Sequence, residues 1–206
     1  MTESIPVKTG ILSGSFNPIH TGHLILAQYM AEYEGLDEIW FVVSPHNPLK
    51  NQQTLVSELH RLEMVKLAID GNPRFRCCDI ECQLPLPSYT IHTLNELEKR
   101  YPERKFTLII GSDNWLIFDS WKDPKEIIDR FPILIYPRPG HDICNQPVLP
   151  QVKVTAAPRI EISSTFIRTA ISEKKKMNFF LPEKVYKYIL RENLYNSLND
   201  EPDNIS

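Results

Sequence analysis

A chain of 206 residues, 42% of them hydrophobic, suits one domain with a sizeable core. Its net charge of −3 excludes a general nucleic-acid binder, which is usually basic, but leaves room for a phosphorylated ligand held by a few local cations. The longest apolar runs, FTLII and ILIY, are far too short to span a bilayer, and MTESIPVKTG has no basic stretch leading into an apolar one. The expectation is a soluble, cytoplasmic protein with neither a nucleic-acid nor a membrane partner.

In chain order, the pattern predicts strands over 7–13, 39–43, 75–82, 106–110, 132–136 and 152–155. Helices are predicted over 22–34, 57–70, 90–100, 124–130, 164–172 and 182–192. Gly35 and Gly71 stand where left-handed caps would close the first two helices. Strands alternating with helices indicate βαβ units, so the fold class is α/β: a Rossmann-like, doubly wound, mainly parallel sheet with helices on both faces. Such sheets bind ligands at the carboxyl ends of their strands, where the polar clusters of this sequence fall. The proline-rich stretch 137–158 reads as a long loop, and 196–206 as a flexible acidic tail. Three of the four cysteines lie in CCDIEC, which lacks the paired spacing of a metal site; in a strand, Cys78 and Cys82 would share a face as buried thiols.

The junction after the first strand, GSFNPIHTGH, has the most chemistry. It is neither the dinucleotide fingerprint nor a P-loop. Its mechanics are related to theirs. Gly14, Ser15 and Phe16 can offer backbone N–H groups to an anion at a helix start. Gly22 lets a ligand approach closely, and His20 and His23 are neighbours at i, i+3. Taken alone, His20 could equally cap the helix and His23 sit half-buried. Near the other end, ISSTFIR places Ser163 or Ser164 at a helix start with Arg168 one turn in.

Together these segments resemble the two signatures of the nucleotidyltransferase superfamily, [HT]-x-G-H and I-S-[ST]-x-x-[IV]-R. Further segments resemble the bacterial nicotinate-mononucleotide adenylyltransferases: VVSPHNPLK, RLEMVKLAI, LPSYTIHTL, FTLIIGSDNWLIFDSW, YPRPGHD and FLPEKVYKYILRENLY. The resemblance runs from about residue 8 to 195, and implies one nucleotidyltransferase domain over 1–195. PHNPLK and His92 depart from the family pattern.

The resemblance implies adenylyl transfer from ATP to nicotinate mononucleotide, with pyrophosphate as the other product. His20, His23 and Arg168 would be the catalytic phosphate donors. Gly14, Ser15, Phe16, Gly22, Gly111, Asp113, Ile162, Ser163 and Ser164 would complete the ATP site, although Asp113 also reads as a helix N-cap. Lys50 would meet the acceptor phosphate and Trp121 stack on the acceptor ring, with Asn47 also among the substrate-binding residues. Backbone N–H groups near Thr90–Ile91 and Trp121–Lys122 would hold its carboxylate. Mg²⁺ would accompany ATP, with no protein metal site. The alternatives are another acceptor, nicotinamide mononucleotide or phosphopantetheine, and a non-catalytic nucleotide-binding regulator. The oligomeric state stays open.

Overall fold

The computed structural model describes residues 5–45, 55–143 and 149–196. Six strands form one parallel sheet: β1 (Val7–Gly14), β2 (Glu38–Val43), β3 (Phe75–Cys78), β4 (Arg104–Gly111), β5 (Ile133–Tyr136) and β6 (Val152–Val154). Their order, β3-β2-β1-β4-β5-β6, is that of a doubly wound sheet, with its switch point between β1 and β4. The helices are α1 (Thr21–Tyr33), α2 (Glu58–Ile69), α3 (Thr90–Arg100), α4 (Ser112–Leu116), α5 (Pro124–Arg130), α6 (Ser164–Ser172) and α7 (Glu183–Arg191). Gly35 and Gly71 do adopt positive φ, 68° and 88°, just past α1 and α2.

Alternation along the strands builds two cores. From β2, Ile39, Phe41 and Val43 face one core, with α1, α2, α6 and α7. Trp40 and Val42 face the other, with Ile91, Leu94 and Leu97 of α3 and Ile127 of α5. Because both faces of β2 are covered, its sequence EIWFVV is a continuous apolar run after the first residue.

Two local expectations are corrected. The third strand ends at Cys78, and Ile80–Gln83 is a 3-10 turn, so Cys78 and Cys82 share no strand face. The turn carries the Glu81 carboxyl inward to the hydroxyls of Ser13 and Thr93, 3.1 and 3.2 Å away. The thiols of Cys77, Cys78 and Cys82 are free, and burial pushes Cys77 up to about 12 and Cys82 up to about 11. Secondly, α4 follows β4 directly with Gly111 as its N-cap. Asp113 therefore lies in the first turn and is not the cap.

Candidate active site

At the end of β1 the chain turns sharply into α1, with Phe16 at φ 47° and its ring buried. A Cβ on Gly14 would meet that ring at 3.1 Å, so the glycine makes room for the tuck. Arg61 of α2, only 1% exposed, holds the turn from below. Its guanidinium donates to the carbonyls of Ser15 (2.9 Å), Ser44 (2.5 Å), Pro45 (3.1 Å) and Val56 (3.1 Å). In a trans peptide C=O and N–H point opposite ways. Pinning the Ser15 carbonyl toward Arg61 therefore turns the Phe16 N–H away from it.

His20 is the N-cap residue of α1, and His23 lies one turn in. Their rings stack at 3.8 Å. The His20 backbone N–H donates to His23 Nδ1 at 3.2 Å. In its neutral form His23 therefore carries its proton on Nε2, as a donor. His20 is 4% exposed, and its Nδ1 is buried without a hydrogen-bond partner. Burial, reinforced by the positive charge of Arg138, holds its pKa down to about 4, so this imidazole is neutral at pH 7. The Gly22 expectation changes in character. A Cβ there would meet His20 Nδ1 at 3.0 Å and Ile160 at 3.3 Å, so its close approach is to His20 and Ile160.

The two signature segments meet over the loop Phe16–Pro18. Ser163 caps α6 by accepting from Phe166 N–H at 3.1 Å, while Ser164 Oγ donates to the Pro18 carbonyl at 2.9 Å. Arg168 is 8% exposed; it donates to the Asn17 carbonyl at 3.0 Å and to Thr165 Oγ1 at 3.3 Å. Its Nε is buried without a hydrogen-bond partner. Tyr195 adds a hydrogen bond to Asn17 Oδ1 at 2.9 Å, so the segment after α7 also braces this loop. Ile162 packs half-buried against the first core. The α1 start is further covered by the Phe180 carbonyl, which accepts from Thr21 N–H at 3.0 Å.

Across the switch point lie Gly111 and Asp113. A Cβ on Gly111 would fall 2.2 Å from Asp113 Oδ1 and 3.1 Å from the Arg138 side chain. The bare glycine lets these two groups meet, with Arg138 Nε 3.5 Å from Asp113 Oδ1. Arg138 is further fixed by its backbone N–H donating to Ser112 Oγ at 2.8 Å and by its guanidinium donating to Tyr136 Oη at 3.1 Å. Arg138, which follows β5, was missed as a site residue. The signal was present in the segment YPRPGHD.

Of the residues expected to meet the acceptor, Ile91 and Trp121 belong with the second core. Thr90 and Ile91 open α3, whose N-cap Tyr89 makes no side-chain capping bond. Trp121 is half-buried beside Phe118, with ring centroids 5.1 Å apart. The Trp121 half of the proposed backbone nest is corrected: its N–H donates to the Phe118 carbonyl at 3.0 Å, closing a 3-10 turn. Lys122 is exposed, 3.4 Å from Asp123. Asn47 and Lys50 lie outside the described residues. His92 is exposed, edge-on to Tyr89.

Comparison with known proteins shows the family. The cytidylyltransferase-like family model matches residues 11–170. A Bacteroides fragilis protein named "probable nicotinate-nucleotide adenylyltransferase" is 56% identical over 90% of this chain and 92% of its own. A Bacteroides thetaiotaomicron protein of the same name is 54% identical, over 97% and 98%. Among solved structures, Plasmodium falciparum nicotinic acid mononucleotide adenylyltransferase complexed with NaAD shares the fold. Its TM-score is 0.75 at 20% identity, covering 92% of this chain and 98% of that one. The chain belongs to the nicotinate-nucleotide adenylyltransferases, within the cytidylyltransferase-like nucleotidyltransferases.

Proposed function

We propose that this chain transfers the adenylyl group of ATP to nicotinate mononucleotide, forming nicotinate adenine dinucleotide and pyrophosphate in NAD biosynthesis. The carrying observation is the convergence of HTGH and ISSTFIR on one loop at the switch point of the sheet. That is where a doubly wound fold presents a ligand. The similar P. falciparum protein was solved with NaAD, the dinucleotide this reaction would make.

The acceptor phosphate is already an anion at neutral pH, so it can attack the α-phosphorus of ATP in line without a general base. Positioning and charge stabilisation must then supply the rate. We assign His23 Nε2–H, His20 and the Phe16 N–H to phosphate oxygens, with Arg138 as a fixed cation nearby. Arg168 we assign mainly to holding the loop, since two of its nitrogens are engaged there. Gly14, Ser15, Gly22, Ile162, Ser163 and Ser164 shape the phosphate side, and Gly111 and Asp113 the nucleoside side. Thr90, Ile91, Trp121 and Lys122, with Asn47 and Lys50, would receive the acceptor.

Mg²⁺ would arrive as part of the MgATP substrate. The assembled groups are N–H donors and arginines, suited to phosphate oxygens, and among the described residues no cluster of three His, Cys, Asp or Glu gathers to hold a metal. We take 1–195 as the catalytic domain. Among the described residues no helix is long and apolar enough to cross a membrane. The free thiols of Cys77, Cys78 and Cys82 suit a reducing cytoplasm.

The test is pyrophosphate release from ATP with a panel of acceptors. Release with nicotinate mononucleotide should exceed that with nicotinamide mononucleotide or phosphopantetheine. A preference for either of the others would reassign the acceptor, and no release with any acceptor would favour a non-catalytic regulator.

A further inference from the structure

Glu81 has no role in the phosphate chemistry, yet its setting is unusual for a carboxyl group. It is 5% exposed, beside a core that includes Cys78, Ile80, Ile91 and Leu94. The side chains around the carboxyl are hydroxyls. Ser13 Oγ donates at 3.1 Å and Thr93 Oγ1 at 3.2 Å. Ser44 and Ser88 face it as well, and Ser88 Oγ is buried without a hydrogen-bond partner. Burial pushes the carboxyl pKa up against these hydroxyls, which favour the ionised form. An apolar side chain would fill the space without the cost of desolvating a carboxyl group.

The hydroxyls come from separate parts of the chain. Ser13 stands at the end of β1, Ser44 just past β2, Ser88 just before α3, and Thr93 in the first turns of α3. Glu81 therefore ties the first turns of α3 to the carboxyl end of β1. The first-turn N–H groups of that helix, at Thr90 and Ile91, are the ones assigned to the acceptor carboxylate, and Tyr89 supplies no side-chain cap for them.

We propose that Glu81 is a positioning residue for acceptor choice: it fixes the α3 N-terminus against β1 so that Thr90 and Ile91 can hold the carboxylate of the mononucleotide. This rests on the acceptor reading above. Nicotinamide mononucleotide lacks that carboxylate and should be less sensitive to Glu81.

The experiment measures kcat and KM for ATP, nicotinate mononucleotide and nicotinamide mononucleotide in the parent, Glu81→Gln and Glu81→Met. In Glu81→Met, KM for the acid mononucleotide should rise tenfold or more, with KM for ATP, kcat and the amide parameters within about threefold of the parent. Glu81→Gln keeps one acceptor oxygen and should fall between. Parallel losses for ATP and both mononucleotides, or no change in the acid-over-amide ratio, would overturn the proposal and leave Glu81 a structural residue. Should thermal unfolding show that Glu81→Met does not fold, Glu81→Gln decides alone: a fall of more than about threefold in the acid-over-amide ratio supports the proposal, and a ratio within about threefold of the parent's overturns it. A parent that does not prefer the acid overturns the acceptor reading, and this proposal with it; unselective variants of a discriminating parent overturn this proposal only.

Discussion

At the scale of single residues, His20 and His23 have the same side chain and different physics. His23 accepts from a backbone N–H through Nδ1, which leaves its Nε2 to carry the proton of the neutral ring and, in the proposed role, to donate to a phosphate. Replacing His23 with Ala should lower kcat by ~10²–10³ while the fold survives, since a preorganised donor is lost. Steady-state kinetics on a folded variant checks this; turnover within about threefold of the parent would contradict the donor role. His20 is held neutral by burial first and by Arg138 second, its pKa down to about 4 from an ordinary 6.5. The sign follows directly. Below pH 6.5 the unfolded chain takes up a proton that the folded one refuses, so stability present above that pH is lost as pH falls toward 4. Urea unfolding of the parent and of His20→Asn at about pH 7.5 and 4.5 should differ in pH-dependent loss by roughly 2–3 kcal/mol, the parent losing more. Equal losses would mean that His20 titrates like an exposed histidine.

Elements are joined here by buried polar staples more than sequence periodicity reveals. Arg61 lies in a helix whose apolar spacing announced only a core-facing face, and in RLEMVKLAI it reads as an ordinary surface charge. Its carbonyl partners come from the ends of β1 and β2 and from the segment before α2, so the pattern within one element cannot report them. Arg61→Met should cost roughly 3–5 kcal/mol of stability, because several buried carbonyls lose their donor together. Equilibrium urea unfolding measures it, and a loss below about 1 kcal/mol would show that the carbonyls find other partners. The same non-local cause explains the shortened third strand: CCDIEC suits an extended chain locally, but Glu81 is drawn into the hydroxyl cluster. It also explains α4, too short to show a period within FTLIIGSDNWLIF.

Across the whole molecule, the doubly wound architecture was legible because a parallel sheet buried on both faces writes itself as apolar runs separated by amphipathic helices. The meeting of the two signature segments was legible as well, since their residues cluster in two short stretches that the fold brings to one loop. Arg138 and Asn17 were not singled out. The first acts from beyond β5 and the second through its backbone and amide, roles that only the folded chain assembles. Of the residues assigned to the proposed site, Phe16 and Ile162 belong with the first core, and Ile91 and Trp121 with the second. The proposed reaction is a direct transfer between two ligands bound together, with the histidines as donors rather than nucleophiles. The most direct test is the stereochemical course at phosphorus when ATP carrying a chiral α-thiophosphate reacts with nicotinate mononucleotide. Direct in-line displacement predicts a dinucleotide with inverted configuration at the transferred phosphorus. Retention, the mark of two successive displacements through an adenylylated side chain, would contradict it.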